Sequence, residues 1–388
     1  MNVATLRLLA KHTRRVSRGH PWVFANEIER EDLRALTPGD IVDVRSPDGT
    51  FHGRGMVDPH SQIVCRIFAS SRDDVDEAAF WAKRMRSALE HRERVYGDRR
   101  DLRVLDGDGD RTPGLTVDRY GHLVRVDLSH PATLRRQEAI KEAVQEVYGP
   151  RSAVVVRAEG EPVAWFGEIP VVVNIDEGGI PLQIDPIAPS RKAHTTEQAD
   201  NRRALAHLCE GKTVLDVYSG SGAWALAALQ AGATSAVAID KAQSQCHHIA
   251  DAAEVAGFDD ELTVVCDEAK HTLELLERKA KRYDVVILDP PPFARSRKQV
   301  KKALLGYKDL LILAITLVQP GGVLITSTRS VYIPSSDYLS QVVSAARTVG
   351  RRLRQIHLGV QASDHPMRPE MPESCKLRCW AFTLTTDV

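Results

Sequence analysis

A chain of 388 residues is too long for one compact core of ordinary size and predicts two or three domains. With 43% hydrophobic and 27% charged residues it has the composition of a soluble globular protein, and no apolar run approaches the roughly 20 residues of a membrane span. The formal net charge is zero, so the total points to no partner, but the basic residues are gathered. Arg7, Lys11, Arg14, Arg15 and Arg18 open the chain without an acid. Arg295, Arg297, Lys298, Lys301, Lys302 and Lys308 form a second group, and Arg347, Arg351, Arg352 and Arg354 a third. Such clusters suit either a phosphate backbone or a solvated helix face.

The opening residues MNVATLRLLAKHTRR lack the apolar core of a secretory signal. The six cysteines, Cys65, Cys209, Cys246, Cys266, Cys375 and Cys379, form neither a disulfide framework nor a paired CxxC zinc pattern. A reducing cytoplasm is the expected compartment, and no metal site is expected.

Residues 1–72 read as a small β-rich unit. The turns Pro38-Gly39-Asp40 and Pro47-Asp48-Gly49 bracket the strand Ile41 to Val44, and Ile63 to Phe68 forms another. Residues 73–185 read as a small α/β unit. Its first helix, Asp74 to Tyr96, places Trp81, Met85, Ala88 and Leu89 on one face. Strands Leu123 to Val126 and Ala153 to Val156 flank a helix from Ala132 to Tyr148, and a hairpin from Val171 to Ile184 closes the unit. Residues 186–388 change character. Apolar, β-branched strands alternate with helices: Thr213–Val217, Ser235–Ile239, Leu262–Val265, Asp284–Leu288 and Gly322–Thr326. This pattern predicts a parallel sheet covered on both faces, so the fold class is α/β with a Rossmann-like domain.

The chemistry is expected at the carboxyl ends of those strands. Val214-Leu215-Asp216-Val217-Tyr218-Ser219-Gly220-Ser221-Gly222 runs a strand into a glycine turn and then a helix, where backbone can approach a ligand closely. Asp240 ends the next strand, placed either to accept the two hydroxyls of a ribose or to cap the following helix. Lys241 adjoins it, and Asp267 and Glu268 end the third strand. A dehydrogenase would favour a third glycine where Ala225 stands. The fourth strand ends in Asp289-Pro290-Pro291-Pro292-Phe293, a motif typical of methyltransferases acting on planar nitrogenous groups. Its prolines stiffen the loop, and Phe293 is placed either to stack on a flipped base or to lie as a lid over the core.

At this point the chain resembles the RlmI-type bacterial methyltransferases of 23S ribosomal RNA. The resemblance is carried, in order, by Arg18-Gly19-His20-Pro21-Trp22-Val23-Phe24 with Glu27-Ile28, Gly53-Arg54-Gly55 with Pro59-His60-Ser61-Gln62-Ile63, Pro113 to Gly121, Glu197-Gln198-Ala199-Asp200-Asn201-Arg202, and Asp364-His365-Pro366. It implies a PUA domain that grips RNA, a small α/β middle domain and a class I methyltransferase domain using S-adenosyl-L-methionine. By position, Gln198, Asn201 and Arg202 would lie near the cofactor. Asp216, Tyr218, Ser219, Gly220 and Gly222 would line its methionine and ribose side. Asp240 would hold the ribose and Asp267 the adenine amine, with Lys241 and Glu268 as further candidate cofactor contacts, and Asp289, Pro290, Pro291 and Phe293 would face the acceptor base. Arg14, Arg15, Arg18, Arg295, Arg297, Lys298 and Arg329 are the candidate RNA contacts, and a second copy of the chain is a candidate partner.

The best-known members of that family methylate carbon 5 of a cytosine through a cysteine thiolate that adds to the neighbouring ring carbon. In Gly321-Gly322-Val323-Leu324-Ile325-Thr326-Ser327-Thr328-Arg329-Ser330, Arg329 occupies the place of that cysteine. A guanidinium is no such nucleophile. The sequence therefore favours a nitrogen acceptor, which needs only orientation and a route for its proton. It leaves open a substitute thiol, Cys375 before the buried strand residue Cys379, and a catalytically silent RNA-binding protein. A small-molecule methyltransferase ranks third.

Overall fold

The computed structural model describes residues 3–149, the backbone of 153–157, 161–188, 194 and 196–386. The chain divides into two compact units. The first comprises Met1–Val171, Pro186–Ala193 and Ser363–Ser374, and the second Val172–Asp185, His194–Ala362 and Cys375–Val388.

The first unit holds two five-stranded sheets. The amino-terminal sheet contains β1 (Ala4–Arg7), β2 (Trp22–Phe24), β3 (Ile41–Arg45), β4 (Phe51–Val57) and β5 (Ile63–Ala69) in the order β1-β3-β4-β5-β2, with short helices α1 (Thr13–Ser17) and α2 (Arg30–Arg34) in its connections. Leu6, Leu8, Val16, Val23, Val42, Val44, Val57 and Val64 fill its core. Helix α3 (Ala78–Tyr96) follows. The second sheet holds β6 (Leu102–Asp106), β7 (Leu115–Tyr120), β8 (Leu123–Leu128), β9 (Ala153–Arg157) and β10 (Val163–Phe166), and α4 (Pro131–Arg135) and α5 (Gln137–Tyr148) connect β8 to β9. The expected single helix over 132–148 is therefore two, parted at Arg136. Trp81, Met85 and Ala88 of α3 and Ile140 and Val144 of α5 pack on Val104, Val117, Val124 and Val126 of this sheet, so the helical period read from the sequence marks the buried face.

The second unit opens with a hairpin, β11 (Val173–Asp176) and β12 (Pro181–Ile184), then α6 (Ala199–Leu205). Seven strands and five helices follow: β13 (Thr213–Val217), α7 (Ala223–Gln230), β14 (Ser235–Asp240), α8 (Gln243–Ala256), β15 (Leu262–Cys266), α9 (Ala269–Arg278), β16 (Tyr283–Leu288), α10 (Val300–Leu317), β17 (Val318–Thr328), α11 (Ser335–Thr348), β18 (Arg351–Val360) and β19 (Arg378–Thr386). The sheet order is β15-β14-β13-β16-β17-β19-β18, parallel from β15 to β17 and antiparallel at β19 and β18. Val285, Val286, Ile287 and Leu288 are buried in succession, because a central parallel strand has no solvent face. Tyr307 and Leu311 of α10 and Tyr338 and Val342 of α11 pack with Leu215, Val286, Leu324 and Trp380 on one side.

Two readings need correction. The hairpin expected to close the middle unit packs against α8, within the second unit. Arg351, Arg352 and Arg354 lie on no helix face: they sit on the edge strand β18, where charge discourages pairing with a further strand. Among the described residues, no helix is long and apolar enough to cross a membrane, and no group of three or more His, Cys, Asp or Glu side chains is set to hold a metal ion.

Candidate active site

Strand β13 delivers Asp216 and then turns through Tyr218–Gly222 into α7. Tyr218 takes φ 66°, a left-handed conformation that costs a tyrosine energy and is concentrated at functional sites. At Gly222, φ is 75° and a Cβ would stand 2.9 Å from Ile249 Cγ2, so both backbone and packing require glycine. An added Cβ at Gly220 would meet nothing within 4 Å, which leaves open space over the turn.

Asp216 is fully buried. Its Oδ2 accepts the Ala225 N–H at 3.2 Å, in the first turn of α7, where a carboxylate complements the helix dipole. Its Oδ1 is buried with no hydrogen-bond partner among the described residues. Burial and then the Asp289 charge push the carboxyl up to about 7.

Asp240 uses both oxygens on backbone. Oδ2 accepts Gly220 N–H at 3.1 Å and Oδ1 accepts Ala242 N–H at 2.9 Å, so one side chain tethers the glycine turn and the start of α8. Lys241 and Glu268 pair with each other at 3.0 Å in the open. Asp267, at the end of β15, accepts Glu268 N–H at 2.7 Å and meets His271 Nδ1 at 2.5 Å.

The second half of the site is built around Asp289. Its carboxylate accepts from Gln198 Nε2 at 3.2 Å, Trp224 Nε1 at 3.3 Å, the Ser327 hydroxyl, and Arg329 Nη1 and Nη2 at 2.5 and 2.9 Å. The Arg329 Nε–H donates to Glu197. The Arg329 and Asp289 side chains are only 23% and 9% exposed, so this forked pair is largely out of water. Burial raises the Asp289 carboxyl, but the Arg329 charge and the surrounding donors outweigh it and hold the group below its ordinary value. Gln198 in turn accepts from Asn201, whose amide also donates to the Val360 carbonyl at 2.9 Å.

The proline loop is tied down by Tyr307. Its hydroxyl accepts Phe293 N–H at 3.2 Å and donates to the Pro291 carbonyl at 3.4 Å. The Phe293 ring stacks on Tyr307 at 4.4 Å, Tyr307 meets Tyr338 edge-on, and Tyr338 stacks on Trp380. This aromatic column backs the half-buried Phe293, while Pro290 is buried and Pro291 and Pro292 are exposed.

The structure thus brings Gln198, Asn201, Asp289 and Arg329 into one hydrogen-bonded group, and Asp216, Tyr218, Ser219, Gly220, Gly222 and Asp240 into another. Arg295, Arg297 and Lys298 are exposed just beyond the proline loop. In the first unit Arg14 and Arg18 are exposed, whereas Arg15 is engaged internally, donating to Glu27 at 2.6 Å and to the Trp22 carbonyl and lying over the Phe24 ring. Arg202 spends its guanidinium on buried Glu177 and lies 5.8 Å over the Trp224 ring. Sequence reasoning gave no role to Trp224, Ser327, Ser221, His194 or Glu177. Of these, Trp224, Ser327 and Ser221 lie in or beside recognised motifs, and His194 and Glu177 carried no local signal.

Cys379 faces Ser327, a partner of Asp289, across the β17–β19 pair, but it is wholly buried, and burial pushes its thiol up. Cys375 is half-buried with its thiol 3.7 Å from the Leu377 carbonyl, and burial raises it too.

Solved structures share this architecture. SMU.776, described as a methyltransferase and solved with SAH, superposes with TM-score 0.87 at 19% identity, over 98% of this chain and 100% of its own. The fold is that of the class I methyltransferases. Residues 6–70 match the model of a PUA-like domain, and residues 200–335 match that of conserved hypothetical protein 95. The ribosomal RNA large subunit methyltransferase I of Shewanella denitrificans is 31% identical over 96% of this chain and 97% of its own length, and that of Yersinia pseudotuberculosis is 30% identical over 97% and 99%. The chain belongs to the ribosomal RNA large subunit methyltransferase I family.

Proposed function

We propose that this protein transfers the methyl group of S-adenosyl-L-methionine to a nitrogen of a base in 23S ribosomal RNA, in the cytoplasm. The observation that carries the choice of atom is Arg329. Its guanidinium stands where the family resemblance implies a nucleophilic thiol and is locked to Asp289 and Glu197, while the late cysteines are buried or half-buried, with their thiols pushed up. A carbon acceptor needs a thiolate, and a nitrogen lone pair does not.

The residues present fit the cofactor. The partnerless Oδ1 of Asp216 suits an ammonium N–H, and the space over Gly220 admits a ligand against the backbone. Asp240 would hold the ribose hydroxyls while keeping the turn in place, and Asp267 the adenine amine. Once bound, the cofactor supplies an electrophilic methyl group. Phe293, backed by Tyr307, offers a stiff face for a flipped base. Asp289 is too acidic and too fully engaged to take the acceptor's proton. Its part is to hold Arg329 and the proline loop in register, and the cationic methylated nitrogen loses its proton to water. Exposed Arg295, Arg297 and Lys298 and the PUA-like sheet would meet phosphates.

Mass spectrometry of nucleosides from 23S RNA of cells with and without the gene tests this. One N-methylated base should vanish without it. An unchanged profile sinks the enzymatic reading and leaves the silent RNA binder, and loss of a carbon-methylated cytosine sinks the nitrogen acceptor.

A further inference from the structure

Ser221 sits in the glycine turn between Gly220 and Gly222. Its hydroxyl lies 2.8 Å from His194 Nδ1, and His194 Nε2 lies 3.0 Å from Glu177 Oε2. Glu177 and His194 are buried. The other Glu177 oxygen accepts two N–H groups of Arg202, at 2.7 Å from Nε and also from Nη2. Burial alone would raise the Glu177 carboxyl, but the Arg202 charge and the His194 hydrogen bond reverse this and bring it down to about 2. It is therefore a carboxylate at any working pH.

With the His194 imidazole neutral, this chain of partners sets the direction of every hydrogen bond in it. A carboxylate only accepts, so His194 Nε2 carries a hydrogen. In the neutral imidazole Nδ1 is then an acceptor, and the Ser221 hydroxyl must donate to it. With its proton turned inward, Ser221 presents only lone pairs to the open side of the turn. An untethered serine would rotate between donor and acceptor roles.

We propose that His194, held by Glu177, is a positioning residue that fixes Ser221 as a hydrogen-bond acceptor for an N–H or O–H group of the bound cofactor. The proposal rests on S-adenosyl-L-methionine being that cofactor. The same carboxylate ties the relay to Arg202, which lies over Trp224, whose indole donates to Asp289.

Calorimetric titration of S-adenosyl-L-methionine into the full chain tests it as a double-mutant cycle, with thermal melting of each variant as the control for folding. Ser221→Ala and His194→Ala should each weaken the cofactor roughly 3- to 10-fold, the range of one hydrogen bond. The double variant should be no weaker than Ser221→Ala alone, because His194 acts only through that hydroxyl. His194→Asn, whose amide oxygen can accept from Ser221, should recover most of the loss. In turnover, His194→Ala should raise the cofactor KM and spare kcat at saturation. If His194→Ala does not fold, His194→Phe fills the volume without an acceptor and replaces it in the cycle. Wild-type affinity in the His194 variant, or a loss of equal size in the Ser221→Ala background, overturns the role of His194. Failure of the wild-type chain to bind S-adenosyl-L-methionine at all would instead overturn the cofactor assignment.

Discussion

Asp216 binds a proton more tightly than an ordinary aspartate, because burial and the Asp289 charge push it up to about 7. The sign of the linkage follows. The unfolded carboxyl titrates near 3.9, so the stability Asp216 contributes is fully present below that pH and is lost as pH rises towards 7. A cationic ligand group facing Oδ1 favours the ionised form. Cofactor binding near pH 7 should therefore release a proton, seen as a binding enthalpy that changes with the ionisation heat of the buffer. Asp216→Asn should abolish that buffer dependence and should raise the melting temperature more at pH 8 than at pH 4. A buffer-independent enthalpy in the wild type would remove the ammonium from this oxygen. At Asp240 the tether to Gly220 and the proposed ribose contact act together. Asp240→Ala should weaken the cofactor by about 1.5–3 kcal/mol, and unchanged affinity in a calorimeter would cancel the ribose assignment.

Among the elements, the segment between the proline loop and α10 carries exposed basic residues. Arg295, Arg297 and Lys298 are exposed, and the cost of replacing them should appear in salt dependence rather than in stability. Exchanging all three for alanine should flatten the slope of log affinity against log salt by about 2 to 3, and an unaltered slope would free this segment from RNA. The elements were unevenly legible in the sequence. Strands β13 to β16 and the α3 face announced themselves through continuous or periodic burial. Edge strand β18 did not, because its exposed arginines carry no apolar period. The glycine turn and Asp289-Pro290-Pro291-Pro292-Phe293 were readable as local motifs. The engagement of Arg329 was not, since Asp289 and Glu197 stand 40 and 132 residues away and only the folded sheet brings them together. The relay from Glu177 to Ser221 was hidden for the same reason: its members come from a hairpin, a segment before α6 and the glycine turn.

For the whole molecule, the proposed nitrogen acceptor implies a reaction with no covalent cysteine adduct. RNA carrying 5-fluorocytosine traps the covalent intermediate of a cysteine mechanism. No stable adduct should form with this protein. An adduct that disappears in Cys379→Ala or Cys375→Ala would restore a carbon acceptor and require the buried thiol to be exposed when RNA binds.

The first unit is assembled from distant stretches of chain. The Asp364 side chain accepts Arg103 N–H at 3.0 Å, its carbonyl accepts from buried Arg92 at 2.7 Å, and its N–H donates to the Tyr96 hydroxyl at 3.3 Å. Residues 363–374 leave the ribosome only after eight of the nine strands described in the other unit have been made. Until then Arg92 and the Arg103 N–H of the nascent amino-terminal unit each lack an acceptor that Asp364 supplies in the folded protein. Translation can start this unit first, but it cannot finish it first, and a chain released before residue 363 would present an incomplete amino-terminal unit to the cell's proteases.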